Sequence, residues 1–374
     1  MAAAAEVLQH VKPAVGLDLP RSLHFAAREH GKSAAAQVRE IWQLRFGPGR
    51  LRPDEYYSYG LYDDRRFGFA DKQRFLGRAT QERILRRCNA PEWWLLAHDK
   101  LVFYALLEGH GLPVPRTRAL YHRTRRCSAA PRLSEPAALA TWLRANLDQP
   151  CFAKPVAGIR SIGVAALQAY EPAGDRLRFM GGRTLAVDEF VAQLEPYRKD
   201  GYLFQEMLAP HPALALLIGR RIGTVRLIIL LEDGAPSILH ALWKIPVGDH
   251  PADNFWRPGN LLAALDAESG RIMRVIQGVG PDQRELQRHP DGGGELKDAT
   301  FPEWPALRAL GFEAATVFPG LRMQAWDIAL TERGPLLVEV NIGGDFNLPQ
   351  LAHGRGLLDE RFRAFLERCV PAAG

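Results

Sequence analysis

The chain has 374 residues and a mass of 41.7 kDa, enough for two or three subdomains with a substantial core. Apolar residues make up 47% and charged residues 24%, an ordinary soluble composition, and the longest apolar runs, around 214–219 and 225–231, are far too short to span a bilayer. A balance of 48 Lys and Arg against 42 Asp and Glu leaves a mild excess of +6, suited to anionic small substrates or to an anionic membrane nearby; no nucleic-acid recognition motif accompanies it.

In chain order, residues 1–90 read as a helical N-terminal region, with an apolar stripe such as Val38, Ile41, Trp42 and Leu44 and many Arg elsewhere. The run 56–62 holds Tyr56, Tyr57, Tyr59 and Tyr62, which either pack between segments or offer a surface to sugar or base rings. Pro91 opens a helix that runs through Lys100 to 108 and ends at Gly109-His110-Gly111; a second helix is predicted over 135–145, and 91–150 is a linking segment. Residues 151–208 form a β-rich unit, with strands at 151–154, 163–167, 177–180 and 202–208 and a helix near 187–194. From 209 to 374 the pattern is strand-rich and then loop-rich, with a helix over 302–318. The four cysteines, Cys88, Cys127, Cys151 and Cys369, show no CxxC spacing, and the start lacks a basic segment leading into a long apolar one. Free thiols and a cytoplasmic location are therefore expected.

Two stretches carry chemistry. Residues 336–340 read as a buried strand after a turn at 332–335, with 326–330 as hairpin partner. Glu339 and Asn341 are two apart, so both point to one face, and Asp327 on the neighbouring strand can reach it. Two carboxylates and an amide oxygen are hard ligands suited to Mg²⁺; the alternative is a plain hairpin with an exposed Glu and a turn-capping Asn. The second stretch is Lys154-Pro155 followed by a loop with Gly158 and Gly163, where the backbone can approach phosphate oxygens. Its spacing is not that of a standard P-loop, and taken on its own the stretch reads first as a hairpin with two turn glycines.

Asn89, Asp99-Lys100, Lys154-Pro155, Gln205, His211-Pro212, Thr224-Val225-Arg226, Asp253-Asn254, His289-Pro290, Trp326-Asp327-Ile328-Ala329 and Glu339 with Asn341 follow one another along the chain. This order resembles the ATP-grasp superfamily, and within it the sugar-transfer-associated ATP-grasp proteins, over residues 56–358. The resemblance implies an α+β fold in which two lobes, 151–208 and 209–374, clamp ATP. It implies that Lys100 and Lys154 meet the α- and β-phosphates, and that the loop of Gly158, Arg160, Ser161 and Gly163 closes over them. Gln205, Glu206, Met207 and Leu208 would form the adenine-reading hinge, with Glu206 on the ribose. Asp327, Glu339 and Asn341 would hold Mg²⁺, and Arg226 would face the γ-phosphate and an incoming carboxylate.

Three further positions keep two readings: Lys244 as phosphate contact or solvated strand lysine, Asn254 as acceptor-orienting or an Asx turn, and His211 as nucleotide contact or structural loop residue. The chain departs from the family in a glycine-poor loop, with Ile159, Arg160 and Ile162, and in Arg257-Pro258-Gly259-Asn260 where a more glycine-rich turn is usual. The activity implied is ATP-dependent ligation of a carboxylate and an amine in glycan or specialised-metabolite assembly. The rivals are a phosphotransferase on the same fold and a non-catalytic nucleotide-binding partner of a glycosyltransferase. Substrate loops are expected at 58–69 and 246–259, and a homodimer is the default assembly.

Overall fold

A computed structural model describes residue 8 and residues 17–128, 130–158, 162–248, 253–342 and 344–369. Two seven-stranded sheets organise them. The first contains β1 Thr117–Tyr121, β2 Arg132–Leu133, β3 Cys151–Pro155, β4 Ala165–Glu171, β5 Arg176–Phe179, β6 Thr184–Ala186 and β7 Tyr202–Glu206, in the order β2-β1-β7-β3-β4-β5-β6. β1 and β2 are parallel and every other neighbour is antiparallel. Helices Pro136–Asn146 and Val187–Leu194 pack on this sheet, setting Leu139, Leu143, Phe190 and Leu194 against Leu167, Leu177 and Phe204. Helix Val187–Leu194 lies where the apolar spacing places it, with Asp188 and Glu189 in its first turn favoured by the macrodipole. The sheet also takes β1 and β2 from before residue 150, because β7 pairs with β1 on one side and β3 on the other.

The second sheet contains β8 Thr224–Glu232, β9 Ala235–Ile245, β10 Leu261–Leu265, β11 Ile272–Gln277, β12 Arg284–Glu285, β13 Met323–Thr331 and β14 Gly334–Asn341, in the order β12-β11-β10-β9-β8-β13-β14. All of its pairings are antiparallel. Helices Trp304–Thr316 and Lys100–Gly109 cover one face, where Leu307 and Ala314 meet Leu227, Ile229 and Ile328. The N-terminal helices Leu19–His30, Ala34–Phe46 and Pro53–Ser58 and helix Asn347–His353 cover the other, against Leu242, Leu262, Ala264 and Ile276. Burial on both faces explains why β8 carries a continuous apolar run at 227–231 and why β13 is buried along its whole length.

Tyr56, Tyr57, Tyr59 and Tyr62 are buried in that second layer, so this cluster packs rather than facing a ligand. The N-terminal apolar stripe behaves less simply. Leu44 is buried and Ile41 half-buried, whereas Val38 and Trp42 point outward. The helix predicted from Pro91 through 108 is broken into a 3₁₀ turn Pro91–Trp93 and helices Trp94–His98 and Lys100–Gly109. Asp99 leaves the helical region (φ −86°, ψ 102°), and its carboxylate caps the second helix by accepting from Leu101 N at 3.0 Å and Val102 N at 3.2 Å.

Candidate functional site

The two sheets face each other across a cleft with about 1230 Å³ of empty space, part of it open to solvent. On the second sheet strand register sets a row: Arg226 on β8 pairs with Asp327 on β13, which pairs with Glu339 on β14; Asp327 and Glu339 line the cleft, whereas Arg226 and Asn341 are absent from its lining. Directly opposed residues on neighbouring strands point to one face, so the three side chains share the cleft side. Lys244 on β9 lies two residues beyond Leu242, the partner of Arg226, and points the same way.

Arg226 donates Nε and Nη2 to the two Asp327 oxygens, each at 2.7 Å, and Lys244 Nζ donates to Asp327 Oδ2 at 2.9 Å. All three residues are buried. Burial alone opposes the charged carboxylate, but the adjacent Arg226 and Lys244 cations outweigh it and hold Asp327 down at about 2. Arg226 likewise keeps its charge against burial because of Asp327, with Glu339 and Asp345 adding to the effect. Asn341 completes the cluster with Nδ2 3.4 Å from Asp327 Oδ2. Asp253 supports it from the side: Oδ2 accepts from Thr224 N at 2.7 Å and from Thr224 Oγ1, and Lys244 Nζ stands 3.5 Å from Oδ1.

Two lysines enter from the opposite wall. Lys154, near the end of β3, is buried, with Nζ 2.8 Å from Tyr104 Oη and 5.3 Å above the same ring. Tyr104 is in turn tied to the Val338 carbonyl at 2.9 Å. Burial lowers Lys154 to about 8, with Glu339 pulling partly the other way. Lys100 opens its helix immediately after the Asp99 break, so the ammonium is aimed at the phosphate-type loop, where it donates to the Gly158 carbonyl at 2.8 Å. It too is buried and lowered by desolvation. Among the described residues neither lysine has a carboxylate within ion-pair distance, and the side chain of Glu339, half-buried in the same cleft, makes no hydrogen bond. Each ammonium senses the Glu339 charge through space, but neither has a carboxylate in contact.

The other predicted residues fall into three groups. Gln205, Glu206, Met207 and Leu208 line the cleft together. Gln205 Nε2 donates to the Pro115 carbonyl at 3.3 Å, and Met207 N lies 3.4 Å from the Pro150 carbonyl. The Glu206 carboxylate accepts from Arg116 N at 2.9 Å and pairs with Arg333, so it ties β7 to the β13–β14 turn. Gly158 lines the cleft, and Gly163 needs its left-handed φ of 73°; Arg160 and Ser161 lie outside the described residues. His211 and Asn254 are absent from the lining of this cleft. His211 caps helix Pro212–Ile218 by accepting from Ala213 N at 3.3 Å, and Asn254 Oδ1 accepts from Trp256 N at 3.1 Å, the Asx-turn geometry. Of the expected substrate loops, 58–69 packs into the layer beneath the second sheet, while 246–259 delivers Asp253 to the cleft.

Sequence reasoning missed Tyr104, Arg125 and Arg333. Tyr104 reads as helix core, although its position four residues after Lys100 places both on one helical face. Arg125 holds Asp99 with two bonds of 2.6 and 3.0 Å, and so fixes the break that aims Lys100.

Mg²⁺ is commonly held by one or two protein carboxylates with phosphate oxygens and water supplying the rest. Glu339 and the amide oxygen of Asn341 fit that demand. Asp327, read from the sequence as a third ligand, is instead engaged by two cations, and among the described residues no three His, Cys, Asp or Glu side chains converge as a metal cage.

Solved structures similar to this chain include D-alanyl-alanine synthetase A from Vibrio cholerae, at 14% identity and a TM-score of 0.41, covering 75% of this chain and 66% of that one. The D-alanine-D-alanine ligase from Coxiella burnetii matches at 12% identity and a TM-score of 0.41, covering 75% and 60%. The chain thus spans less than two thirds of the length of either. No curated protein sequence matches it. Residues 79–365 match the family described as sugar-transfer associated ATP-grasp, and with the two sheets and the lysine-lined cleft between them the chain is a member of that ATP-grasp family.

Proposed function

We propose that the protein is an ATP-dependent carboxylate–amine ligase that forms an amide through an acyl phosphate, serving the assembly of cell-surface glycans or specialised metabolites. The observation that carries this reading is the pair of buried lysines, Lys100 and Lys154, which face the cleft with no carboxylate in ion-pair contact, Glu339 acting on them only through space. A nucleotide polyphosphate supplies that anion, with Lys154 and Lys100 as point charges on its oxygens. The hinge Gln205, Glu206, Met207 and Leu208 borders the same cleft and would take the base and ribose.

In the first step an oxygen of the substrate carboxylate attacks the γ-phosphorus and ADP leaves. In the second an amine nitrogen attacks the acyl carbon, loses its proton to solvent, and inorganic phosphate leaves. Arg226, held rigid by Asp327, and Lys244 beside it supply fixed positive charge where the transferring oxygens gain negative charge. Mg²⁺ held by Glu339 and Asn341 would neutralise phosphate charge in the same place. The family's sugar-transfer association supports the glycan setting. Among the described residues no helix is long and apolar enough to cross a membrane.

The test is turnover of Mg²⁺-ATP with pooled acids and amines, following ADP, AMP and phosphate. ADP and phosphate that need both an acid and an amine, and vanish in Glu339→Gln, support the ligase. A stable phosphorylated product without an amine requirement would replace it with the phosphotransferase. Tight ATP binding with no turnover, and a cellular function untouched by Glu339→Gln, would replace it with the binding partner.

A further inference from the structure

Helix Ala34–Phe46 is rolled with polar groups inward and apolar groups outward. Gln37 is fully buried: its amide nitrogen donates to the Lys32 carbonyl at 2.7 Å and the Leu23 carbonyl at 3.2 Å, and its oxygen accepts from Tyr57 Oη at 2.8 Å. Glu40 accepts from Lys32 at 2.6 Å, Lys72 at 2.8 Å and Tyr56 Oη at 2.7 Å, while both lysines also pair with Asp64. Lys32 and Lys72 are themselves buried. Together with buried Leu44, this satisfied network sets the roll of the helix, because any rotation would strand its charges in the core.

The consequence lies on the other side. At 100° per residue the face opposite Gln37 and Leu44 carries Ala35, Val38, Trp42 and Phe46. Val38, Trp42 and Phe46 are 58%, 64% and 72% exposed, and the rings of Trp42 and Phe46 lie 4.9 Å apart. A contiguous exposed aromatic stripe on a rigid helix marks a surface that meets a partner. Arg39 borders the stripe on one edge and Arg45 on the other; both are exposed, and neither forms an ion pair with a described residue. The helix's single acid, Glu40, is turned inward, so the outward face carries no carboxylate.

The sequence of the N-terminal region shares this bias. Residues 1–90 hold 16 Lys and Arg against 10 Asp and Glu, while the remaining 284 residues hold 32 of each, so the whole excess of +6 belongs to the N-terminal region rather than being spread along the chain. Trp and Phe beside a small aliphatic side chain, with guanidinium groups on both edges, suit a helix lying in a lipid–water interface. The rings enter the headgroup layer and the arginines meet phosphates. A protein groove would satisfy the apolar stripe equally, but guanidinium groups on both edges and no acid on the face match a laterally extended anionic plane.

We infer that helix Ala34–Phe46 docks this protein reversibly on an anionic lipid surface through Val38, Trp42 and Phe46, with Arg39 and Arg45 as its electrostatic edges. The inference is independent of the ligase reading, and its test needs neither ATP nor substrate. The full chain is sedimented with vesicles of phosphatidylcholine alone or with about a third phosphatidylserine, at low and high salt. Binding is expected only to the phosphatidylserine vesicles and falls as salt rises. Trp42→Ser with Phe46→Ser abolishes it without changing the helical circular dichroism. Arg39→Gln with Arg45→Gln, which leaves the apolar stripe intact, lowers partitioning roughly thirtyfold.

No binding to anionic vesicles overturns the inference, as does binding that both double variants retain. If light scattering shows a dimer that Trp42→Ser with Phe46→Ser dissociates, and vesicles are ignored, the stripe is a self-interface and the lipid assignment fails. Should the apolar pair impair folding, the arginine pair decides alone.

Discussion

Raising the pH from 7 to 9 should weaken nucleotide binding, and Lys154 sets the size of the effect. Burial brings its ammonium down to about 8 even though Glu339 works to raise it. For a single group titrating there, about nine-tenths of the molecules carry the proton at pH 7 and about one-tenth at pH 9. A polyphosphate selects the protonated form, so the apparent Kd should rise about tenfold, near 1.4 kcal/mol. Lys100, also lowered by burial, acts in the same direction. Calorimetric titration with a non-hydrolysable ATP analogue at pH 7, 8 and 9, in two buffers of different ionisation enthalpy, measures both the Kd and the proton taken up on binding. Lys154→Arg, always protonated, should flatten the profile. A flat Kd in the wild type, or binding at pH 9 without proton uptake, would refute the assignment of Lys154 to the phosphates. The same lowering has a defined sign for stability. Below about 8 both folded and unfolded chains hold the proton and the burial penalty is present in full. Between about 8 and the ordinary 10.5 only the unfolded chain keeps it, so this contribution to stability improves as pH rises and then levels off.

Three other outcomes follow from the same geometry. Glu339→Gln removes the charge that props up Lys154, so the binding profile should move to lower pH while ATP turnover is lost; an unchanged profile would show that the two groups do not sense each other. Asp327→Ala strands Arg226 in a buried site, leaves Lys244 only its contact with Asp253, and should destabilise the protein by about 3–5 kcal/mol, read as a fall in the denaturant midpoint, whereas a change below about 1 kcal/mol would show that the cations are solvated after the loss. Gly163→Ala sets a Cβ 2.6 Å from Tyr197 Oη at a φ of 73°, and should cost about 1–3 kcal/mol; an unchanged melting temperature would mean that the loop refolds around the methyl group.

The local chemistry of this protein was legible in its residues. Lys154 before a glycine-bearing loop, the turn at 332–335, and Glu339 and Asn341 at strand spacing each depend on a few neighbouring side chains and on φ/ψ preferences. The hairpin of β13 and β14 formed where those preferences place it, and so did helix Val187–Leu194. Where periodicity failed, it did so for a physical reason. Val38, Trp42 and Leu44 form one apolar set in the sequence, but Gln37 and Glu40 found buried partners on segments up to thirty-two residues away, and those polar ties rolled the helix outward.

The helix after Pro91 was divided in the same way by Asp99, whose capping geometry is secured by Arg125 from a distant loop. Asp327 shows the limit most sharply. Its residue type and strand were readable, but whether it holds a metal or two cations depends on Arg226 and Lys244, which stand 101 and 83 residues away in sequence. Sequence by itself determined the element types, the ATP-grasp family pattern and the supply of lysines and carboxylates, because these rest on short-range sterics and side-chain chemistry. Only the tertiary structure decided which charges neutralise one another and which are left facing the cleft, because pairing energy depends on distances and burial that strand register sets between segments remote along the chain.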